Sequence, residues 1–221
     1  IKKGYKESDV LGGIDPYSAS KASAELAIKS YFETFLKKKK NIKVISCRAG
    51  NVIGGGDWSK NRLVPDCIKA WSDGKIVNIK NPNSTRPWQH VLEPLNAYLS
   101  LAAALNEGLN INGEAFNIGP INKNSHKVLD LVKKMATFWG SAKWKLDKRK
   151  FFVESNLLKL NSSKIRKKIL WKTILSFNES VEFTVAWYKK FNKNPSIISD
   201  ETKNQIIRYM NVQKKDYEKR N

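Results

Sequence analysis

A helix followed by a short apolar strand sets the fold class of this chain. Residues 16–36 place apolar side chains at helical spacing, among them Leu26, Tyr31 and Phe35. Residues 42–47 form a short run rich in β-branched residues, which predicts a buried parallel strand. A helix that leads into such a strand is half of a βαβ unit, so the sequence predicts an α/β protein.

The start of this helix carries a candidate catalytic pair. Asp15 suits the N-cap, and Pro16 suits the first helical position. Tyr17 and Lys21 are four residues apart, so they lie on one face of the helix. Because a nearby cation stabilises a phenolate, this pairing would let Tyr17 accept a proton. The alternative is an amphipathic surface helix in which the two residues share no role.

The rest of the chain continues the alternation of helices and strands. Residues 1–14 are predicted to be a loop, because glycines punctuate them and no periodicity holds. Helices are predicted at 62–71, 94–107, 126–139 and 178–192, and short strands at 76–79, 116–118 and 144–146. After Pro195 we predict a polar tail with one amphipathic piece, 202–210.

Two further segments are candidates for ligand binding. The first follows the predicted strand 42–47 and reads Arg48-Ala-Gly-Asn-Val-Ile-Gly-Gly-Gly-Asp-Trp58. Ligands of open α/β sheets bind beyond the carboxyl ends of strands, and glycines allow close backbone approach, although a flexible turn would look the same. The second surrounds Arg86, whose guanidinium can bind phosphate oxygens in a two-pronged manner. Its neighbours Trp88 and His90 are predicted to pack rather than to catalyse.

Composition adds constraints on partners and location. The formal net charge is +21, from 41 Lys+Arg against 20 Asp+Glu, which raises the possibility of nucleic-acid binding. Because the excess is mostly lysine spread over the whole length, solvated surface is the favoured interpretation. Cys47 and Cys67 show neither metal-ligand nor disulfide spacing, so we predict no metal and a reduced, cytoplasmic setting. No apolar run is long enough to span a membrane, and no signal peptide is recognisable.

Several motifs resemble one enzyme family. Tyr17-Ser-Ala-Ser-Lys21 is similar to the active-site motif of the extended branch of the short-chain dehydrogenases/reductases. Within that branch, the chain resembles the CDP-glucose 4,6-dehydratase family over about residues 4–192. The stretches that carry this resemblance are 12–21, 48–58, 62–66, 85–95, 160–164, Trp171 and 187–189.

This resemblance implies a fold, a domain division and an activity. It implies the C-terminal part of a Rossmann-like doubly wound parallel sheet with a smaller mixed α/β substrate lobe. Residues 1–60 would complete an NAD-binding domain, residues 61–195 would form the lobe and remaining sheet elements, and residues 196–221 the tail. Such enzymes convert CDP-glucose to CDP-4-keto-6-deoxyglucose for deoxysugar and O-antigen synthesis, with resident NAD, and a homo-oligomer is implied for the full-length form.

The resemblance also implies roles for individual residues. Tyr17 corresponds to the catalytic base and Lys21 to its partner on the nicotinamide ribose, with Ala49 and Gly50 beside the nicotinamide. The substrate-binding positions are Asn51, Arg62, Leu63, Arg86 (on the diphosphate) and Glu154 (near the nucleotide ribose). Departures are the absent dinucleotide fingerprint, the absent upstream Ser/Thr-Asp-Lys segment and Val153 in place of a common histidine.

From these departures we expect the chain to be an incomplete piece that is inactive by itself. Two alternatives to a dehydratase stay open: a related nucleotide-sugar epimerase or reductase, and a basic module that binds nucleic acid. The upstream acid, which is missing here, would distinguish a dehydratase from the first alternative, because an epimerase does not need an acid at C6. Steep weakening of binding with salt would identify the second.

Overall fold

The computed structural model of the chain describes residues 4–13, 15–120, 126–147 and 159–218. Helices and short strands alternate within these ranges, which confirms the predicted α/β class. The helices are α1 (Pro16–Tyr31), α2 (Leu63–Ser72), α3 (Leu92–Asn106), α4 (Val128–Trp139), α5 (Ser163–Ile169), α6 (Phe177–Lys193) and α7 (Ile198–Glu218). The strands are β1 (Ser46–Ala49), β2 (Val52–Ile53), β3 (Ile76–Ile79), β4 (Thr85–Arg86), β5 (Gln89–His90), β6 (Ala115–Ile118), β7 (His126–Lys127) and β8 (Lys143–Leu146).

Parallel pairing dominates the strand ladders. β1 pairs with β6, β2 with β5 and β3 with β8, all in parallel, whereas β4 and β7 run antiparallel. Parallel neighbours need a crossover, and α3 lies between β5 and β6 in sequence as a helix of 15 residues. The carboxyl ends of β1 and β6 therefore lie at one edge, where ligands of open α/β sheets bind.

Two of the three hydrophobic clusters in the described ranges hold these ladders. One lies between β1, β6, α3 and α5, and its fully buried members include Ala97, Ile111, Phe116, Ile118 and Ile165. The other joins α2, β3, α4 and α6, and its fully buried members include Ile68, Ile79, Leu131, Met135 and Tyr188. Both follow from helices that present one apolar face to a strand pair.

Helix α1 is shorter and more exposed than the sequence indicated. It ends at Tyr31 and continues as a wide π-type turn over residues 32–36. Phe32 in that turn is buried against Gly113, where a Cβ would lie 2.1 Å from the phenyl ring. No residue of α1 itself is buried, and Leu26 keeps 57% of its surface exposed. The apolar spacing of 16–36 therefore predicted the helix correctly but does not mark a buried face here.

Two further elements differ from their predicted bounds. The strand expected at 42–47 is β1, which begins at Ser46 and ends at Ala49. Val44 instead bonds to the turn before β6, accepting from the Gly113 amide at 2.8 Å and donating to Asn112 at 2.8 Å. The predicted polar tail after Pro195 is mostly helix, because α7 extends from Ile198 to Glu218 and buries Glu201, Gln205 and Tyr209.

Candidate active site

The Tyr17–Lys21 pair lies at the start of α1, where the sequence places it. Asp15 caps the helix by accepting the Ser18 amide at 3.0 Å, and its bonds with Ser18 lower the pKa of its carboxyl. The Lys21 ammonium lies 5.7 Å from the centre of the Tyr17 ring. Tyr17 keeps 67% of its surface exposed, so its hydroxyl is accessible to a substrate.

An ion pair fixes the face of α1 that carries these two residues. Tyr17, Lys21 and Glu25 are spaced four apart and so form one stripe along the helix. Glu25 accepts two hydrogen bonds from Arg48 on β1, with Nε–Oε1 at 2.6 Å and Nη2–Oε2 at 2.5 Å. Glu25, at the end of this stripe, therefore ties α1 to β1, whose carboxyl end carries the predicted cofactor-binding residues.

The turn after β1 joins two of the predicted binding residues, Gly50 and Asn51, to the segment around Arg86. The Gly50 amide donates to Ile118 at 3.1 Å, and Asn51 accepts from the Gln89 amide at 3.0 Å. A Cβ at Gly50 would lie 2.9 Å from Cγ of Pro87, so close packing of these two segments requires glycine. Gly50 and Asn51, which directly follow Ala49, consequently form one unit with residues 87–89.

The glycine triplet 54–56 has a packing role that the sequence did not reveal. A Cβ at Gly55 would lie 2.1 Å from Cδ2 of Trp187, on α6. The Tyr188 hydroxyl donates to the carbonyl of Asp57 at 2.7 Å and anchors the same turn. The close approach that glycine allows here is to a tryptophan of the protein itself, which the turn packs against.

Arg62 and Leu63 open α2 next to this turn. Arg62 is the N-cap position and is exposed, and Leu63 is half-buried against the second core. Although burial raises the pKa of Asp57, hydrogen bonds from Ser59 and the charges of Arg62 and Lys69 lower it overall. The negative charge of Asp57 is thus held beside Arg62 at the start of α2.

Arg86 lies in β4, paired in register with His126 of β7. It is half-buried, and its Nη1 donates to the carbonyl of Thr85 at 2.9 Å. The His126 ring stacks on Phe177 with centroids 3.8 Å apart and an angle of 15°. Arg86 therefore lies in a short two-stranded ladder. The other strand of that ladder, β7, contacts Phe177, the first residue of α6, through His126.

Trp88 and His90 are structural, as predicted. Trp88 is 9% exposed within the second core, and His90 is 2% exposed. His90 accepts the Leu92 amide through Nδ1 at 3.3 Å, which places its proton on Nε2. Burial lowers the pKa of His90 to about 4, so the ring is neutral at physiological pH.

Glu93 is a buried carboxylate that the sequence did not single out. It is fully buried at the start of α3, and burial raises its pKa to about 7. One oxygen accepts the amides of Ile174 and Leu175, and the other accepts the Tyr209 hydroxyl. These partners are distant in the sequence, so no local pattern could have indicated them.

Three further points concern Glu154, metal binding and membrane spans. Glu154 lies outside the described residues. Within the described ranges, no group of three or more His, Cys, Asp or Glu side chains could hold a metal ion. No helix in the described part of the chain is long and apolar enough to cross a bilayer.

Comparison with known proteins identifies the family. Residues 2–184 match the GDP-mannose 4,6 dehydratase family, and the chain belongs to it. Among characterised relatives, the CDP-glucose 4,6-dehydratase of Salmonella typhimurium is 38% identical over 215 residues. That match covers 95% of this chain and 59% of the relative, its C-terminal part, so the chain spans about three fifths of the relative's length. The resemblance to CDP-glucose 4,6-dehydratases is confirmed.

Solved structures confirm the Rossmann-like fold. The dTDP-glucose 4,6-dehydratase of Bacillus anthracis, solved in complex with NAD, superposes with a TM-score of 0.69 at 24% identity. That superposition covers 86% of this chain and 57% of the other. The UDP-glucuronic acid 4-epimerase of Bacillus cereus superposes with a TM-score of 0.71 at 21% identity, covering 85% and 57%. At these identities the likeness shows the fold alone.

Proposed function

We propose that this chain supplies the proton-transfer and sugar-nucleotide-binding residues of an NAD-dependent 4,6-dehydratase that acts on CDP-glucose. The observation that carries the proposal is the Tyr17–Lys21 pair on α1, a helix that the Glu25–Arg48 ion pair joins to β1. The Salmonella relative, at 38% identity, supports CDP-glucose over other nucleotide sugars. The product would be CDP-4-keto-6-deoxyglucose, a precursor for deoxysugars such as those of O-antigen.

Tyr17 would act as the base in the first step. Its exposed side-chain oxygen would accept the proton of the sugar 4-hydroxyl while the carbon is oxidised. The Lys21 ammonium lies 5.7 Å from the centre of the Tyr17 ring, and its three donors suit ribose hydroxyls. The pair can perform this step because both side chains share one accessible face of α1.

The donor set at this edge fits part of a nicotinamide cofactor. When bound, NAD supplies the hydride acceptor for the 4-position of the sugar and the hydride donor for C6. Lys21 would hold its ribose, and the backbone of Ala49 and Gly50 would lie beside the nicotinamide ring. The sequence contains no Gly-x-Gly-x-x-Gly, the turn that normally binds the pyrophosphate, so these residues account for one end of the cofactor only.

The substrate would lie along the unit formed by the turn after β1 and the segment around Arg86. Arg86 offers a planar guanidinium for the diphosphate, and Asn51 lies next to the same segment through its bond with Gln89. Arg62 and Leu63 at the start of α2 add a cation and an apolar contact. Glu154 stays a predicted contact of the nucleotide ribose.

The experiment that tests this function has a binding arm and a turnover arm. We expect the chain to bind CDP in calorimetry more tightly than UDP or dTDP, and equal affinities would contradict the CDP assignment. For turnover, the chain is fused to the remaining N-terminal part of the Salmonella relative and incubated with NAD and CDP-glucose. Mass spectrometry should show loss of one water from the sugar, whereas we expect the 221-residue chain by itself to retain no NAD and form no product. CDP binding without product in the fusion would contradict the dehydratase assignment.

A further inference from the structure

The segment that carries Arg86 is connected to the start of α6 on two sides, which together form a ring of contacts. The Glu93 carboxylate makes one of these two connections. Glu93 follows Arg86 by seven residues and lies in the first turn of α3. Its Oε1 accepts the amides of Ile174 at 2.8 Å and Leu175 at 2.7 Å, just before α6 begins. The carboxylate thus ties the start of α3 to the start of α6.

The other side of the ring, through β7, also reaches the start of α6. Arg86 pairs with His126 across the β4–β7 ladder, and His126 stacks on Phe177, the first residue of α6. The start of α6 therefore contacts the strand opposite Arg86 and, through Glu93, the helix that follows the Arg86 segment. A shift of either contact would move the segment relative to its own ladder.

Helix α7 holds the remaining oxygen of Glu93. The Tyr209 hydroxyl donates to Oε2 at 3.0 Å, and Tyr209 is only 3% exposed. A second contact runs through Phe183, whose carbonyl accepts Gln205 of α7 at 2.8 Å and whose ring meets the edge of His90 at 5.5 Å. Helix α7 lies beyond residue 184, where the match to the family model ends.

The Tyr209 hydroxyl has a specific hydrogen-bonding role in addition to filling space in the core. Glu93 is a buried carboxylate with three donors, and Tyr209 supplies the one on Oε2. Removing a donor from a buried acceptor costs more than the net value of one hydrogen bond, because the acceptor is left unpaired and water cannot replace the donor. The start of α3 would relax, and the segment before it would lose its fixed end.

We propose that Tyr209 is a positioning residue that acts through Glu93 to hold residues 86–91 in the geometry in which Arg86 meets the substrate diphosphate. This inference rests on the proposed function of Arg86 as the diphosphate ligand. Tyr209 and Glu93 touch no substrate themselves, because both are buried. Their effect reaches the site through the backbone of the Arg86 segment.

The first test measures amide hydrogen exchange in the Tyr209→Phe variant. The Gln89 amide bonds to Asn51 at 3.0 Å and the Val91 amide to Ile53 at 2.8 Å, so both report on the segment. We expect about tenfold faster exchange at these two amides, the change that a buried acceptor left without its donor produces. Tyr217→Phe, on the same helix with 68% exposure, should leave them unchanged. Unchanged exchange in Tyr209→Phe would overturn the proposal.

The second test is a double-mutant cycle with Arg86, read by the affinity for CDP. Tyr209→Phe should weaken CDP binding about threefold to tenfold when Arg86 is present and have little effect in the Arg86→Ala background. An equal loss in both backgrounds would show general destabilisation and reject a positioning role. If Arg86→Ala alone leaves CDP affinity unchanged, the function proposed for Arg86 fails, and the exchange measurement still decides whether Tyr209 fixes the segment.

Discussion

Glu25 of α1 and Arg48 of β1 form a two-pronged ion pair, with both bonds at 2.5–2.6 Å and each side chain 20% exposed. The pair joins the catalytic helix to the strand that ends at Ala49. Since α1 buries none of its own residues, this polar link contributes to its attachment where apolar burial does not. The orientation of Tyr17 and Lys21 therefore depends on a contact that lies one and two helical turns away from them.

We predict that Glu25→Ala lowers the free energy of unfolding by about 1–3 kcal/mol, because it leaves the half-buried Arg48 guanidinium without its carboxylate. Urea denaturation followed by circular dichroism measures the change. Glu33→Ala is the matched control, because its pair with Lys37 is exposed at 49% and 59%. That control should change stability by less than about 0.5 kcal/mol, and equal effects of the two variants would argue against the link.

We predict that Tyr17→Phe abolishes formation of the 4-keto sugar in the fused enzyme described above without affecting stability. The ring stays, and the hydroxyl that accepts the proton is lost, which should lower turnover roughly 10²–10⁴-fold. Since Tyr17 is 67% exposed, the denaturation midpoint should not move. Tyr31→Phe, at 64% exposure on the same helix, should keep full activity. Wild-type turnover in Tyr17→Phe would remove Tyr17 from the mechanism.

We predict that Arg86→Ala weakens CDP-glucose binding by about 1.5–3 kcal/mol, the range for a hydrogen bond to a charged group. Arg86→Lys should recover little, because a lysine ammonium cannot make the planar two-pronged contact. Isothermal calorimetry gives both values directly. Lys145→Ala, an exposed cation on β8, tests whether the effect is only general charge attraction. A loss of the same size in Lys145→Ala would favour that explanation.

The sequence predicted those features that depend on neighbours along the chain. The Tyr17–Lys21 face follows from helical spacing, and β3 lies at 76–79, where a short strand was predicted. The start of β1 was wrong because Val44 bonds to a turn, which only the tertiary fold brings alongside. Glu93 was missed because its three donors come from segments far along the sequence.

The glycine triplet shows the same limit and gives a further prediction. Glycines after a strand suggested ligand approach, yet Gly55 packs on Trp187. We predict that Gly55→Ala lowers stability by about 1–3 kcal/mol through overpacking, even without any nucleotide present. Gly12→Ala is the control, because nothing lies within 4 Å of its Cβ position. Thermal unfolding in nucleotide-free buffer decides the matter, and an unchanged midpoint for Gly55→Ala would restore the ligand interpretation.

The pH dependence of stability provides the last prediction, through Glu93. The groups that face it are Tyr209 of α7 and Glu179 of α6, and burial is the main cause that raises its pKa from 4.5 to about 7. Below pH 4.5 the carboxyl is protonated in the folded and unfolded states alike. As the pH rises towards 7, the unfolded chain ionises freely and the folded protein does not, so the unfolded state is favoured. The stability associated with Glu93 is therefore present at low pH and lost as the pH passes about 7.

We predict that Glu93→Gln removes this slope. The glutamine carbonyl can still accept the Ile174 and Leu175 amides, but the side chain does not titrate. The unfolding free energy of the variant minus that of the wild type should rise by about 3 kcal/mol at most between pH 4.5 and 8. His90, whose pKa is lowered to about 4, makes both proteins less stable as the pH falls from 6.5, so its effect cancels in the difference. Urea titrations at several pH values measure both curves, and parallel curves across this range would show that Glu93 does not titrate as its burial requires.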